Sequence, residues 1–165
     1  MTCCVTGARP ENFPFVYNDV IKHAIYLDEL RDKIENLIYE GYTHFISGMA
    51  RGVDLDFALL VNMLKFDYCI TLEAAIPYPD QAVKWEYDDW LGYQVLLEEC
   101  DKKTIVSPKY VRGCMQIRNQ YMVDHSDLVL AVWNGQKKGG TWNTIRYAQS
   151  VGKPIRFLML NEIKI

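Results

Sequence analysis

The sequence predicts an α/β protein: a Rossmann-like three-layer sandwich with a mostly parallel sheet of about six strands and helices on both faces. Three observations carry this reading. Short β-prone runs alternate with helical patterns from end to end. The runs are nearly continuous in apolar residues, DLVLAVW at 127–133 most clearly, as expected for strands buried on both sides. Glycines and small polar residues gather where strands give way to helices.

TCCVT at 2–6 reads as the first strand and stops at Gly7. Leu30, Ile34, Leu37 and Ile38 share one face of a 3.6-residue period, so 28–40 reads as a helix, with Asp28 as its N-cap and Gly41 as its stop. THFIS at 43–47 is the second strand and a helix follows over 53–66. CITLEAAI at 69–76 is the third strand, halted by Pro77 and Pro79. A long helix over 80–100 carries Asp88, Asp89, Glu98 and Glu99 as a solvated face. KTIVS at 103–107, a helix at 113–125, DLVLAVW, a helix at 141–151 and PIRFLML at 154–160 complete one domain over 1–165. The stretch 8–27 stands out as an irregular, aromatic-rich insert, readable as a lid, a short extra helix or a dimer contact.

The 165 residues suffice for one hydrophobic core, half of them being apolar and 24% charged. A net charge of −3 argues against general nucleic-acid binding, which requires a basic footprint. The five cysteines show no CxxC or Cys/His ligand spacing, and the three histidines stand far apart, so reduced thiols, a cytoplasmic location and no metal site are expected. The opening residues carry no signal-peptide pattern, and no apolar run is long enough to span a membrane.

In an open parallel sheet, ligands bind beyond the carboxyl ends of the strands. The loops there read GARP, SGMARGVD, PYPDQ, SPKY and NGQKKGGT. In SGMARGVD, Gly48 and Gly52 flank a strand-to-helix turn with Ser47 and Met49, where backbone N–H groups face an anion. Arg51 adds a charge-assisted contact, and Asp54 caps the helix or accepts from a ribose hydroxyl. Gly139, Gly140 and Thr141 open another helix and suit phosphate or carboxylate, with Lys137 and Lys138 raising the local potential, although an N-capping Thr141 after a loop reads equally well. Gly7 ends the first strand, and Pro10 stiffens the loop that presents Arg9. Pro77 and Tyr78 follow the third strand; Tyr78 and Trp133 are candidates for stacking on a base. Arg118 and Asn119 matter if their helix flanks this edge. GxxxxGK[ST], GxGxxG and GxSxG are all missing, so no cofactor is implied.

Taken in order, GARP, SGMARGVD, the Arg118–Asn119 pair and GGT resemble the YpsA-like family of the SLOG superfamily, which includes the DNA-processing protein DprA and the LOG phosphoribohydrolases. SGMARGVD is similar to the SGxAxGxD signature of YpsA-like and DprA-like proteins. AAIPY at 74–78, Gln81 and Trp85 add to the likeness, which covers nearly the whole chain. The resemblance implies a Rossmann-like sheet with a pocket for nucleotides or nucleotide-derived signals. LOG enzymes carry PGGxGTxxE with a catalytic glutamate; here the stretch is KKGGTWNT, and Thr144 occupies the glutamate position.

The expected function is therefore binding of a nucleotide-derived small molecule, as sensor or sequestering module, by a homodimer or higher homo-oligomer, without catalysis. The alternatives are a phosphoribohydrolase in which Glu73, Asp54 or Glu86 replaces the missing carboxylate, and an interaction protein pairing through 8–27 and 80–100.

Overall fold

A computed structural model describes residues 1–164. Six strands form one sheet: β1 (Thr2–Gly7), β2 (His44–Ser47), β3 (Thr71–Ile76), β4 (Lys102–Ile105), β5 (Leu128–Trp133) and β6 (Ile155–Met159). Their spatial order is β4-β3-β2-β1-β5-β6, and every neighbouring pair is parallel. Chain order reverses direction between β1 and β5, whose register pairs Cys3 with Leu128 and Gly7 with Val132.

The helices are α1 (Val20–Tyr39), α2 (Val53–Leu64), α3 (Tyr87–Glu98), α4 (Cys114–Asp124) and α5 (Gly139–Ser150). Alternate strand residues point to opposite faces, so Cys3 and Val5 join the core beneath α1, α2 and α3, whereas Cys4 joins Ile46, Ala75 and Val129 beneath α4 and α5. This two-sided burial explains the continuously apolar inner strands. β4 is an outer strand and reads KKTI; its paired lysines protect an exposed edge. Among the described residues no helix is long and apolar enough to cross a membrane.

The largest differences from the sequence reading lie at the starts of three helices. Helix α1 begins at Val20, and its N-cap is Asp19, whose side chain accepts from the Lys22 N–H at 3.1 Å; Asp28 lies inside the helix. Val20 and Ile21 face solvent, which hides the amphipathic period of the first turns. The insert thus shrinks to 8–19 and contains the 3-10 turn Pro10–Asn12. Its aromatic side chains turn inward: Phe13 packs edge-on against Phe15, Tyr17 and Tyr26. Helix α3 starts only at Tyr87, because 77–86 forms successive turns in which Gln81 and Ala82 are buried. Helix α5 starts at Gly139, which places Thr141 inside the first turn and leaves it no N-cap role.

Candidate functional site

A cleft of about 360 Å³ opens at the carboxyl ends of β1 and β5, the switch point of the strand order. The end of β1 contributes Gly7 and Arg9, the end of β5 contributes Trp133, and the first turn of α5 contributes Gly139, Gly140 and Thr141. From below come Asp54 on α2 and Arg118 and Asn119 on α4. The structure thus brings nine of the sequence candidates together on one cleft: these three triplets.

The amino end of α5 is its most exposed polar feature. Lys138, the N-cap residue, makes no side-chain capping bond. The N–H groups of Gly139, Gly140 and Thr141 have no hydrogen-bond partner among the described residues. They carry the positive end of the helix dipole. Gly139 adopts φ +79°, a conformation that favours glycine, and a Cβ on either glycine would meet open space. The Thr141 hydroxyl donates to the Gly7 carbonyl at 2.8 Å and fixes this turn against β1.

Arg118 is 3% exposed. Its Nε donates to Asn119 Oδ1 at 2.8 Å, and Nη1 donates to the Gly48 and Ala75 carbonyls. Nη2 has no protein partner among the described residues. Asp54 is also buried and accepts weakly from the Ala50 N–H at 3.4 Å. Burial raises its carboxyl above the usual range, opposed by the Arg118 and Arg9 charges. Burial likewise lowers the Arg118 guanidinium, opposed by Asp54. Arg9, Arg118 and Lys138 against one lining carboxylate leave the cleft positive.

Eight candidates lie elsewhere. Around Gly48 and Gly52 the protein itself fills the space expected for phosphate. A Cβ on Gly48 would overlap Arg118 and Asp54, and one on Gly52 would meet the Ala8 carbonyl at 2.6 Å and Pro10 at 3.0 Å. The amino end of α2 is occupied too, since the Val53 N–H donates to the Ala8 carbonyl at 3.2 Å. Ser47 is buried, donating to the Asp54 carbonyl and accepting from the Met49 N–H. Met49 is fully buried at φ +54°. Arg51 reaches away to Asp89 on α3 at 2.6 Å, a pair that stays partly exposed. Pro77 accepts from the Ser107 N–H, and Tyr78 packs edge-on against Tyr110. Trp133 does line the cleft, but its ring stacks on Trp142 at 5.5 Å, and its Nε1 donates to the Gln136 carbonyl.

The cleft also gains Thr6, Ala8, Asn12, Ala50, Met115, Asn134, Gln136 and Lys138. Asn134, Gln136 and Lys138 belong to the NGQKKGGT loop and were reachable from the strand-end rule alone. Asn12 enters because Asn134 Nδ2 donates to its carbonyl at 2.9 Å, a contact between distant segments with no local signal.

The family model described as the YspA SLOG family (YpsA) matches residues 3–162. The chain belongs to the YpsA family of SLOG proteins. Relatives within reach of it include the SPbeta prophage-derived protein YoqJ of Bacillus subtilis, 35% identical over 136 residues, covering 74% of this chain and 79% of that protein. A UPF0398 protein of Bacillus thuringiensis is 25% identical over 152 residues, covering 90% and 83%. In this YpsA-family chain, Thr144 stands on the inner side of α5, 2% exposed. It donates to the Gly140 carbonyl at 3.0 Å and accepts from Asn119 Nδ2 at 2.9 Å, so the position is built for a small hydroxyl. Glu86 is exposed ahead of α3, and Glu73 lies among the first residues of β2, β3 and β4, outside the cleft lining.

Proposed function

We propose that the cleft binds a phosphorylated, nucleotide-derived small molecule and does so without catalysis, as a sensor or sequestering module. The observation that carries this reading is the uncapped amino end of α5, with three free N–H groups beside Arg9, Lys138 and the free nitrogen of Arg118. Such an arrangement suits a phosphate, whose charge meets backbone dipoles and guanidinium donors together. Asp54 supplies an acceptor for ribose hydroxyls within the same cleft. A volume near 360 Å³ falls at the lower end of the range for small-ligand pockets. Titration calorimetry with ADP-ribose-like compounds, nucleoside monophosphates and cyclic nucleotides tests this. Heat of binding to at least one phosphorylated member, lost in its dephosphorylated counterpart, is expected. Folded protein that binds none of them overturns the reading.

Asp54 favours a second reading, an N-glycosidase-type reaction. A buried carboxyl with a raised pKa is the kind of group that acts as a general acid. Base release from nucleoside monophosphates or NAD, abolished in Asp54→Asn, would replace the binding-only reading.

A further inference from the structure

The first turn of α2 holds both ends of the insert that follows β1. The Val53 N–H donates to the Ala8 carbonyl at 3.2 Å. Three residues on, Asp56 accepts from the Tyr17 hydroxyl, which lies 2.8 Å from each carboxylate oxygen. Val53 and Asp56 share one side of the helix at this spacing. Between the two anchors lie Arg9 and Asn12, both in the cleft lining. The Tyr17 ring packs edge-on against Phe13 at 4.9 Å, and Phe13 adjoins Asn12, whose carbonyl accepts from Asn134. The Arg9 charge acts on Asp54 and on Arg118.

His23 on α1 completes the arrangement. Its Nδ1 lies 2.7 Å from the Tyr17 carbonyl, which can only accept, so Nδ1 carries a proton. Its Nε2 lies 3.5 Å from Asp56 Oδ1. In a neutral ring protonated on Nδ1, Nε2 turns a lone pair towards that carboxylate. A second proton removes the repulsion and makes an ion pair. Asp56 accordingly raises His23 above its ordinary 6.5. The other groups against His23 are the Tyr17 ring of the insert, at 4.5 Å, and the Tyr26 ring of α1, at 5.5 Å. Burial pushes both phenols up, so they stay neutral. Beyond Tyr17 stand Arg51 and Asp89, which pair with each other.

We propose that Tyr17, Asp56 and His23 form a clasp that fixes the insert against α2 and so positions Arg9 and Asn12 at the cleft. Protonated His23 tightens it. Stability from a raised folded pKa is fully present below the unfolded value and is lost as pH rises through the folded one. The hold on Arg9 and Asn12 therefore weakens with rising pH, and with it the affinity of the cleft for an anion, a last step that rests on the ligand reading above.

Hydrogen exchange of the full chain tests the clasp without any ligand. Between pH about 6 and about 8, protection of residues 8–19, corrected for intrinsic exchange, should fall about fivefold or more while that of β1 and β5 holds. His23→Gln should abolish this change with pH, and Tyr17→Phe should lower protection at every pH. Calorimetry with ADP-ribose reads the cleft, because its bridged phosphates carry no monoester proton that titrates in this window. Its Kd should rise about fivefold or more over the same range and stay flat in His23→Gln. Insert protection that ignores pH overturns the proposal. So does a slope that His23→Gln leaves in place, which would belong to Asp54, whose carboxyl is also raised. An affinity that ignores pH while insert protection follows it removes the link to the cleft. A pH-dependent insert in folded protein that binds no ADP-ribose keeps the clasp and counts against the ligand reading alone.

Discussion

Arg118 on α4 donates a hydrogen bond to the Gly48 carbonyl, so a residue of the cleft floor also holds the loop between β2 and α2 in shape. The same nitrogen reaches the Ala75 carbonyl, and Asp54 lies beside it. Arg118→Met keeps the volume but strands two carbonyls and a buried carboxylate. A loss of about 3–5 kcal/mol in urea unfolding is expected, the scale for breaking a buried charged network. Arg118→Lys should recover only part of it, because one ammonium cannot reproduce a planar fork.

Met49 tests which of two opposed effects is larger. Its φ of +54° is strained for a side-chain residue, and Met49→Gly would relieve about 1–2 kcal/mol. The side chain is fully buried, however, and removing one of this size costs about 2–5 kcal/mol. Net destabilisation is expected. Its measurement by thermal and chemical unfolding would show whether burial outweighs strain in a loop further held by Gln81 Nε2, which donates to the Met49 carbonyl at 3.1 Å.

Glu73 sets an acid limit on the fold. Burial by itself would raise its carboxyl, but donors from His44, Thr104, Tyr121 and Lys102 overcome this and hold it well below the ordinary 4.5. A carboxyl depressed in the folded state contributes stability that is present above its unfolded pKa and is lost as pH falls towards the folded value. Wild-type protein should therefore weaken steadily as pH drops below about 4.5. Glu73→Gln should cost about 1.5–3 kcal/mol at neutral pH and flatten that acid slope, read from urea midpoints across pH.

Gly140 separates ligand recognition from stability. Its φ is not positive, and a Cβ there touches no protein atom. Gly140→Ala should leave unfolding unchanged or raise stability by up to about 1 kcal/mol, through helix propensity. The new methyl group would stand in the mouth of the cleft beside the free N–H groups. Calorimetric affinity for a phosphorylated ligand should fall while melting temperature holds or rises.

The sheet, the helix alternation and the carboxyl-end location of the cleft were legible because periodicity and strand burial are local signals. Gly139, Gly140 and Thr141 stand out as a glycine-rich helix opening, but the sequence puts the start two residues late and offers Thr141 as a cap, because residue order alone does not fix the first helical residue. Gly48 and Gly52 read as glycines that let a ligand approach the backbone, but sequence does not say what fills the space beside them. Arg118, the Ala8 carbonyl and Pro10 fill it. Arg51 faced the same ambiguity, a guanidinium near a glycine turn, and Asp89 on a separate helix took it. Asn12 gave no signal at all, because its place in the cleft depends on Asn134, which is remote in the chain.

The pairing of β1 with β5 has a consequence for biosynthesis. Cys3 finds Leu128, and Gly7 finds Val132, each 125 positions further along the chain. Closing so long a loop is slow, and partners this distant assemble late. A nascent or prematurely ended chain can build β1, β2 and β3 with α1 and α2, but the walls supplied by β5 and α5 do not yet exist. The cleft itself therefore comes into being only once β5 and α5 are in place.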